Sequence, residues 1–247
     1  MSAGRLLLLP SLLGASEVDE VLPVRVQEAA RTTRHFLAER AKSARAFLKV
    51  LGHPIAMQEL HIVEIGHTPE AARIDEWLHP LHQGHDVALV AEAGCPGVAD
   101  PGATIVARAH ALGIEVRPLV GPCSPLLALM GSGLDGQRFR FVGYLPQDQE
   151  QCAIAITQLE AASRAGETQL FIETPYRNQR LFEALLRRCS DDTLLTVAIA
   201  LTSPQQLLAT RTIAAWRSLA AEQRPALRNL PAVFALLAPG RRAPKSR

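Results

Sequence analysis

Asp86-Val87-Ala88-Leu89-Val90-Ala91-Glu92-Ala93-Gly94-Cys95-Pro96-Gly97-Val98-Ala99-Asp100-Pro101-Gly102 is the stretch on which the reading of this chain turns. After Asp86 it is apolar over a strand's length, without charge and without polar alternation, as in a strand covered on both faces. It then enters a loop with three glycines, and a helix begins. In open α/β sheets, ligands bind outside the carboxyl ends of the strands. Gly94, Gly97 and Gly102 let backbone approach a ligand with no Cβ in the way, and the start of the helix offers free N–H groups. From spacing alone two readings stand: a ligand loop, or a tight strand-to-helix connection.

Working outward, Val120-Gly121-Pro122-Cys123-Ser124-Pro125 has the same strand–loop–helix form. Apolar runs of strand length fall near 5–10, 35–38, 60–64, 86–91, 114–120, 138–144, 168–173, 194–201 and 231–237. Helical stretches alternate with them. Thr68-Pro69, Asp100-Pro101, Ser124-Pro125 and Thr174-Pro175 each read as a cap followed by proline at the first helical position. After the first of these, Ile74, Trp77, Leu78 and Leu81 form one apolar stripe; Gly84, Gly113 and Gly131 read as helix stops. The alternation predicts two α/β domains with mostly parallel sheets. Arg117-Pro118-Leu119-Val120-Gly121-Pro122 is the expected passage between them, giving an N-terminal domain over 1–117 and a C-terminal domain over 118–247.

Composition narrows the class. The chain has 247 residues, a formal charge of +2, 48% apolar and 20% charged residues, which excludes a disordered or collagen-like chain. So small a net charge does not drive nucleic-acid binding by itself, although a local basic stripe suffices. Aromatics at 4% argue against a broad base-stacking platform. Cys95, Cys123, Cys152 and Cys189 form no C-x-x-C and read as free thiols in a reducing cytoplasm. Arg5 before Leu6-Leu7-Leu8-Leu9 mimics a signal peptide, but Pro10 and then Glu17, Asp19 and Glu20 cut the run short, so a buried first strand is expected. No stretch reaches the ~18 apolar residues of a membrane span. The tail Arg241-Arg242-Ala243-Pro244-Lys245-Ser246-Arg247 reads as a frayed end, with weak phosphate affinity as the lesser alternative.

Other constellations read less sharply. Gly131-Ser132-Gly133-Leu134-Asp135-Gly136 is a literal G-x-G-x-x-G, but it follows a helix and precedes a strand. That order is the reverse of a dinucleotide site, so it reads as a helix end and turn. His79, His82 and His85 are spaced as neighbours on a helix, yet Pro80 and Gly84 disturb it and no carboxylate shares the spacing, so no metal is expected. Cys95 with His67 is a nucleophile–base pairing for a hydrolase, but no orienting partner is legible and a packing thiol is the plainer reading. Arg177, Arg180, Arg187 and Arg188 form either a solvated helix face or a phosphate-reading patch.

Taken together, Asp86 to Gly102, Pro118 to Pro146 and Glu173-Thr174-Pro175-Tyr176-Arg177 resemble the tetrapyrrole methylase family, the class III S-adenosylmethionine-dependent methyltransferases. The likeness is greatest to the branch that methylates a cytidine 2′-O of 16S ribosomal RNA. That branch carries E-A-G-T-P-x-x-S-D-P-G, P-L-P-G-P-S-A, S-G-L followed by a strand and F-L-P, and Y-E-S-P-H-R. Here they stand as Glu92 to Gly102, Pro118 to Ser124, Ser132 to Leu134 with Tyr144-Leu145-Pro146, and Ile172 to Arg177. The resemblance implies S-adenosyl-L-methionine in a cleft between two domains, a homodimer, and an RNA or other nucleophilic acceptor. It implies cofactor contacts at Pro10, Ala93, Gly94, Cys95, Val98, Cys123, Ser124, Glu173, Ala200, Pro231 and Ala232. A sulfonium donor is already activated, so the protein mainly aligns and shields, and no residue stands out as a general base. The family's E-D-T-R reads Glu39-Arg40-Ala41-Lys42, its E-L-T-K reads Ala200-Leu201-Thr202-Ser203, and the small helical extension that follows the last strand in the ribosomal branch is not expected here. Those differences lie where substrate choice is set, and they keep two alternatives open: a corrin or porphyrin precursor as acceptor, or a cofactor-binding paralogue without catalysis.

Overall fold

The computed structural model describes residues 3–240, so the basic tail lies outside the described residues. The chain divides into two compact units, Met1–Cys123 and Ser124–Arg247, so the segment from Pro118 to Cys123 goes with the first. The first unit runs β1 (Leu6–Leu9), α1 (Val18–Val21), α2 (Val24–Thr32), β2 (His35–Ala38), α3 (Ala41–Val50), β3 (His61–Glu64), α4 (Ile74–His82), β4 (Val87–Val90), α5 (Ala103–Ala111) and β5 (Val116–Pro118). The second runs α6 (Ser124–Ser132), β6 (Phe139–Tyr144), α7 (Gln149–Ser163), β7 (Thr168–Glu173), α8 (Asn178–Arg188), β8 (Leu194–Ile199), β9 (Leu207–Thr212), α9 (Ile213–Ser218) and β10 (Ala232–Leu237).

The first sheet has the order β3-β2-β4-β1-β5 and is parallel throughout. Its inner strands β1, β2 and β4 are buried on both faces, which is why they show no polar alternation. Leu6, Leu37, Val87 and Leu89 pack with Trp77, Leu78 and Leu81 of α4 and Ile105 of α5. Leu7, Leu9, Phe36, Ala88 and Val90 point the other way, against Val26 of α2 and Phe47 and Leu48 of α3. Because every strand runs the same way, all the carboxyl ends, and the loops that follow them, gather on one edge.

The second sheet has the order β6-β7-β10-β8-β9. β6 and β7 are parallel, while β10 runs antiparallel to both β7 and β8, and β9 antiparallel to β8. It is therefore a mixed sheet, covered on one face by α7, α8 and α9 through Ile156, Phe182, Leu185 and Trp216. α6 packs on β8, β9 and β10. Here Gly131 lets Leu208 of β9 close in: a Cβ on it would lie 2.4 Å from Leu208 Cδ1, so that side chain would have to shift.

Each expected strand is present, and β9 is an addition. The helix starts shift. Thr68-Pro69 does not cap α4, which begins at Ile74 after a short turn over Ala71–Arg73. Asp100 closes its own loop, accepting from the amides of Gly97 (2.6 Å) and Gly102 (2.8 Å), and α5 starts at Ala103. Thr174-Pro175 lies in a turn before α8. Gly131 does not stop α6; the helix continues to Ser132, and Gly133 takes the left-handed φ of +71° beyond it.

Candidate active site

Three loops of the first unit meet at the carboxyl edge of its sheet. After β1, the Ser11 amide donates to the Gly94 carbonyl at 3.0 Å and the Ser11 hydroxyl to the Ala91 carbonyl at 3.0 Å. After β5, Gly121 lies so close to Pro10 that a Cβ would come within 2.3 Å of the ring. Between them, the Cys95 thiol points at the carbonyls of Gly121 (3.7 Å) and Pro122 (3.3 Å). Pro10, Ala93, Gly94, Cys95, Val98 and Cys123 thus belong to three mutually packed loops. Gly94 has φ +77° and Gly97 φ +81°, a backbone that L side chains resist. The amides of Ala93, Gly94 and Cys95 donate to no acceptor among the described residues, and the side chains around them are small. A backbone surface of unengaged N–H groups beside small residues suits an adenosyl or carboxylate group.

Sequence reasoning passed over a second cluster on the same edge. The amides of Ile65 and Gly66 donate to the carbonyls of Ala38 (2.9 Å) and Glu39 (3.2 Å), extending the β2–β3 pairing past the strands. This sets His67 beside Glu39, and His67 Nδ1 is paired with Glu39 Oε1. Arg40 Nη2 donates to His67 Nε2 at 3.2 Å, and Arg40 Nε lies 3.8 Å from Glu92 Oε1, which also accepts from the Ser43 hydroxyl at 2.8 Å. Glu64 is spent on the Ala41 amide at 2.9 Å. Burial pushes the Glu39 carboxyl above its ordinary value, helped by the charges of Glu92 and Asp100 and opposed by His67. The signal in the sequence is only Glu39 at the end of one strand and His67 just beyond the next; their contact depends on the parallel register of β2 and β3.

In the second unit the register collects Glu173, Ala200, Pro231 and Ala232. Ala232 stands opposite both Glu173 and Ile199, and the Ala200 amide donates to the Pro231 carbonyl at 2.9 Å. Ala200 and Thr202 hold positive φ values of 45° and 67° in the turn after β8, local strain of the kind found at functional loops. The Glu173 carboxylate accepts from Arg177 Nε at 2.9 Å, Arg177 Nη2 and the Thr174 amide. Ser124 opens α6. Beside this group, Gln147, Gln149, Cys152, Arg177, Arg180 and Arg187 line a groove along α8.

Other pairings read from the sequence are not assembled. Cys95 and His67 are not joined: the Cys95 thiol is hydrogen-bonded with Cys123, which together with burial raises its pKa far above the ordinary range and keeps it protonated. A thiol held in that state is no nucleophile, which argues against a Cys95 hydrolase. His79 bonds Gln83, while His85 leans on His35, which in turn stacks on His61 at 4.8 Å. No group of His, Cys, Asp or Glu among the described residues is arranged to hold a metal. All four cysteines are free, and no helix among the described residues is long and apolar enough to cross a membrane.

Residues 19–216 match the family described as Tetrapyrrole (Corrin/Porphyrin) Methylases. The chain is 32% identical over 182 residues to the ribosomal RNA small subunit methyltransferase I of Pseudomonas aeruginosa, covering 72% of this chain and 59% of that protein. It is 40% identical over 108 residues to the protein of the same name from Micromonospora olivasterospora, covering 44% of this chain and 34% of that one. The matched part thus spans between about a third and three fifths of these relatives' own length. Among solved structures, the methyltransferase CobJ superposes with a TM-score of 0.63 over 96% of this chain and 95% of its own, at 19% identity, a likeness of fold.

Proposed function

From its place in the tetrapyrrole methylase family, to which this chain belongs, we propose that it transfers a methyl group from S-adenosyl-L-methionine to a hydroxyl of ribosomal RNA. The observation that carries this reading is the packing of the loops after β1, β4 and β5 into one backbone surface with unengaged amides at Ala93, Gly94 and Cys95. The residues fit the donor: the amides supply hydrogen-bond donors for its carboxylate or adenine, and Val98 and the half-buried Cys95 offer small apolar contacts. Pro10 and Cys123 complete that group in the first unit. Once bound, the donor supplies a methyl on a sulfonium, a good leaving group. The chain's residues then fix its position, orient the acceptor and keep water away. The curated relatives' names support RNA as the acceptor. The same reading makes the protein a cytoplasmic homodimer.

Titration calorimetry with S-adenosylmethionine and S-adenosylhomocysteine tests the donor site, and labelled-methyl incorporation into purified 30S particles tests the acceptor. Binding of neither compound overturns the reading. Binding without incorporation into 30S particles, but with incorporation into a corrin or porphyrin precursor, moves the acceptor to the macrocycle.

A further inference from the structure

We propose that His67, held by Glu39, accepts the proton of the acceptor hydroxyl at Nε2, a role that rests on the methyl-transfer reading above. An alcohol that attacks carbon must shed its proton, so a base beside the oxygen lowers the barrier. The geometry identifies which group is free to act. Arg40 has only donors, so the His67 Nε2 facing its Nη2 at 3.2 Å must carry a lone pair. The ring's proton therefore lies on Nδ1 and is donated to Glu39 Oε1. The carboxylates on this edge each already hold a neighbour through one oxygen: Asp100 Oδ1 the amides of Gly97 and Gly102, Glu92 Oε1 the Ser43 hydroxyl, Glu64 Oε2 the Ala41 amide. The Cys95 thiol is held protonated by Cys123.

Among the described residues, only His67 combines an exposed ring, 67% accessible at its side chain, with a buried carboxylate, 11% accessible at Glu39, that fixes its tautomer. A hydroxyl arriving at Nε2 takes the place of Arg40, whose guanidinium retains Glu92 as partner. In the step itself, the hydroxyl proton passes to Nε2 and the oxygen's electron pair forms the O–CH3 bond. The pair of the breaking C–S bond returns to sulfur, the sulfonium charge disappears, and an imidazolium stabilised by Glu39 remains to release its proton to water. His67 is the catalytic base and Glu39 its positioning residue.

The test combines nitrogen-15 NMR of the His67 ring in the wild-type protein with steady-state kinetics of His67→Gln and Glu39→Gln. The NMR experiment needs no substrate: a ring protonated at Nδ1 and bare at Nε2 is expected at pH 8, and the opposite tautomer overturns the proposal. For His67→Gln, kcat is expected to fall about 10²–10⁴-fold, with KM for S-adenosylmethionine and its calorimetric affinity changed less than about threefold. Glu39→Gln keeps an acceptor for Nδ1–H but removes the charge that stabilises the imidazolium. The acid limb of its pH profile for kcat is expected to move to lower pH, which a purely structural role would not produce. A His67→Gln protein that binds the donor normally and keeps kcat within twofold overturns the base while leaving the methyltransferase reading intact. A wild-type protein that binds donor yet methylates neither 30S particles nor macrocycles overturns both.

Discussion

Replacing Gly121 with alanine tests whether the loops after β1 and β5 are packed as described. The added Cβ would lie 2.3 Å from Pro10 Cβ, 2.5 Å from Pro10 Cγ and 3.3 Å from Leu22 Cδ2. Carbon atoms in contact sit about 3.5–4.0 Å apart, so the two loops must separate by roughly 1 Å or more. The proline ring has no rotamer through which to retreat. Overpacking of this kind costs about 1–3 kcal/mol, and alanine returns about 0.4–1 kcal/mol by restricting the unfolded chain, which leaves a central loss of about 1.3 kcal/mol. Gly97→Ala is the control: its Cβ meets nothing within 4 Å, so only its φ of +81° acts against it, at about 1–2 kcal/mol. The chain's two tryptophans report on the units separately, Trp77 from α4 and Trp216 from α9. In a Trp216→Phe background, guanidinium unfolding followed through Trp77 measures the first unit alone. Gly121→Ala is expected to lower its midpoint by the equivalent of about 1.3 kcal/mol and to weaken S-adenosylmethionine at least about tenfold, since the loop that carries Cys123 is displaced. An unchanged midpoint with unchanged donor affinity would refute the loop packing on which the donor site is built.

Three further outcomes follow from individual contacts. Burial first, then the rings of His61 and His85 and the charge of Arg34, hold the His35 imidazole below its ordinary value. The unfolded chain therefore binds more protons as the pH falls through about 6.5, so the first unit is fully stable above that range and loses stability below it. The Trp77 midpoint measured from pH 8 to 5 should show this loss, and His35→Phe should flatten it. Arg177 and Glu173 form an ion pair only 15% and 5% accessible at their side chains, so Arg177→Ala leaves a buried carboxylate uncompensated. The Trp216 transition is expected to drop by about 3–5 kcal/mol, with partial recovery in Arg177→Ala/Glu173→Gln. If RNA tracks the α8 groove, Arg180→Ala/Arg187→Ala lowers the salt slope of 30S binding by about two, without altering calorimetric donor affinity.

Much of this was legible in the sequence because burial leaves a pattern. Leu6–Leu9, Phe36–Ala38 and Val87–Val90 lie in strands buried on both faces, and their unbroken apolar character marks them without any tertiary information. Helix starts were less legible. Asp100-Pro101 looks like a cap, but its carboxylate satisfies two loop amides instead, a competition between loop closure and capping that local sequence does not resolve. β9, Leu207–Thr212, went unread because its half-buried Leu-Leu-Ala-Thr-Arg-Thr lacks an apolar run, and its place is set by pairing with β8 and by the Thr196–Thr210 hydroxyl contact at 2.8 Å. The Glu39–His67 pair was invisible for a different reason. It joins residues on separate strands through a register that no single segment encodes, so Cys95 was the only partner the linear sequence offered to His67.

The second sheet shows why strand direction matters to a site as much as strand order. A parallel β10 would place its carboxyl end, near Leu237, beside Glu173 and Ala200. Running antiparallel, it brings its first residue there instead, with Ala232 opposite Glu173 and Ile199. The loop before β10 thereby joins the loops after β7 and β8, and Pro231 presents its carbonyl to the Ala200 amide. Proline has no N–H to leave unsatisfied at that strand start, and its fixed φ delivers the carbonyl in a set direction. The short tie holds Ala200 at φ 45°, an otherwise unfavourable conformation for a residue with a Cβ. The mixed topology is thus what converts three distant segments of sequence into one edge, and a substitution that straightens the Ala200 turn acts on Pro231-Ala232 as directly as one made there.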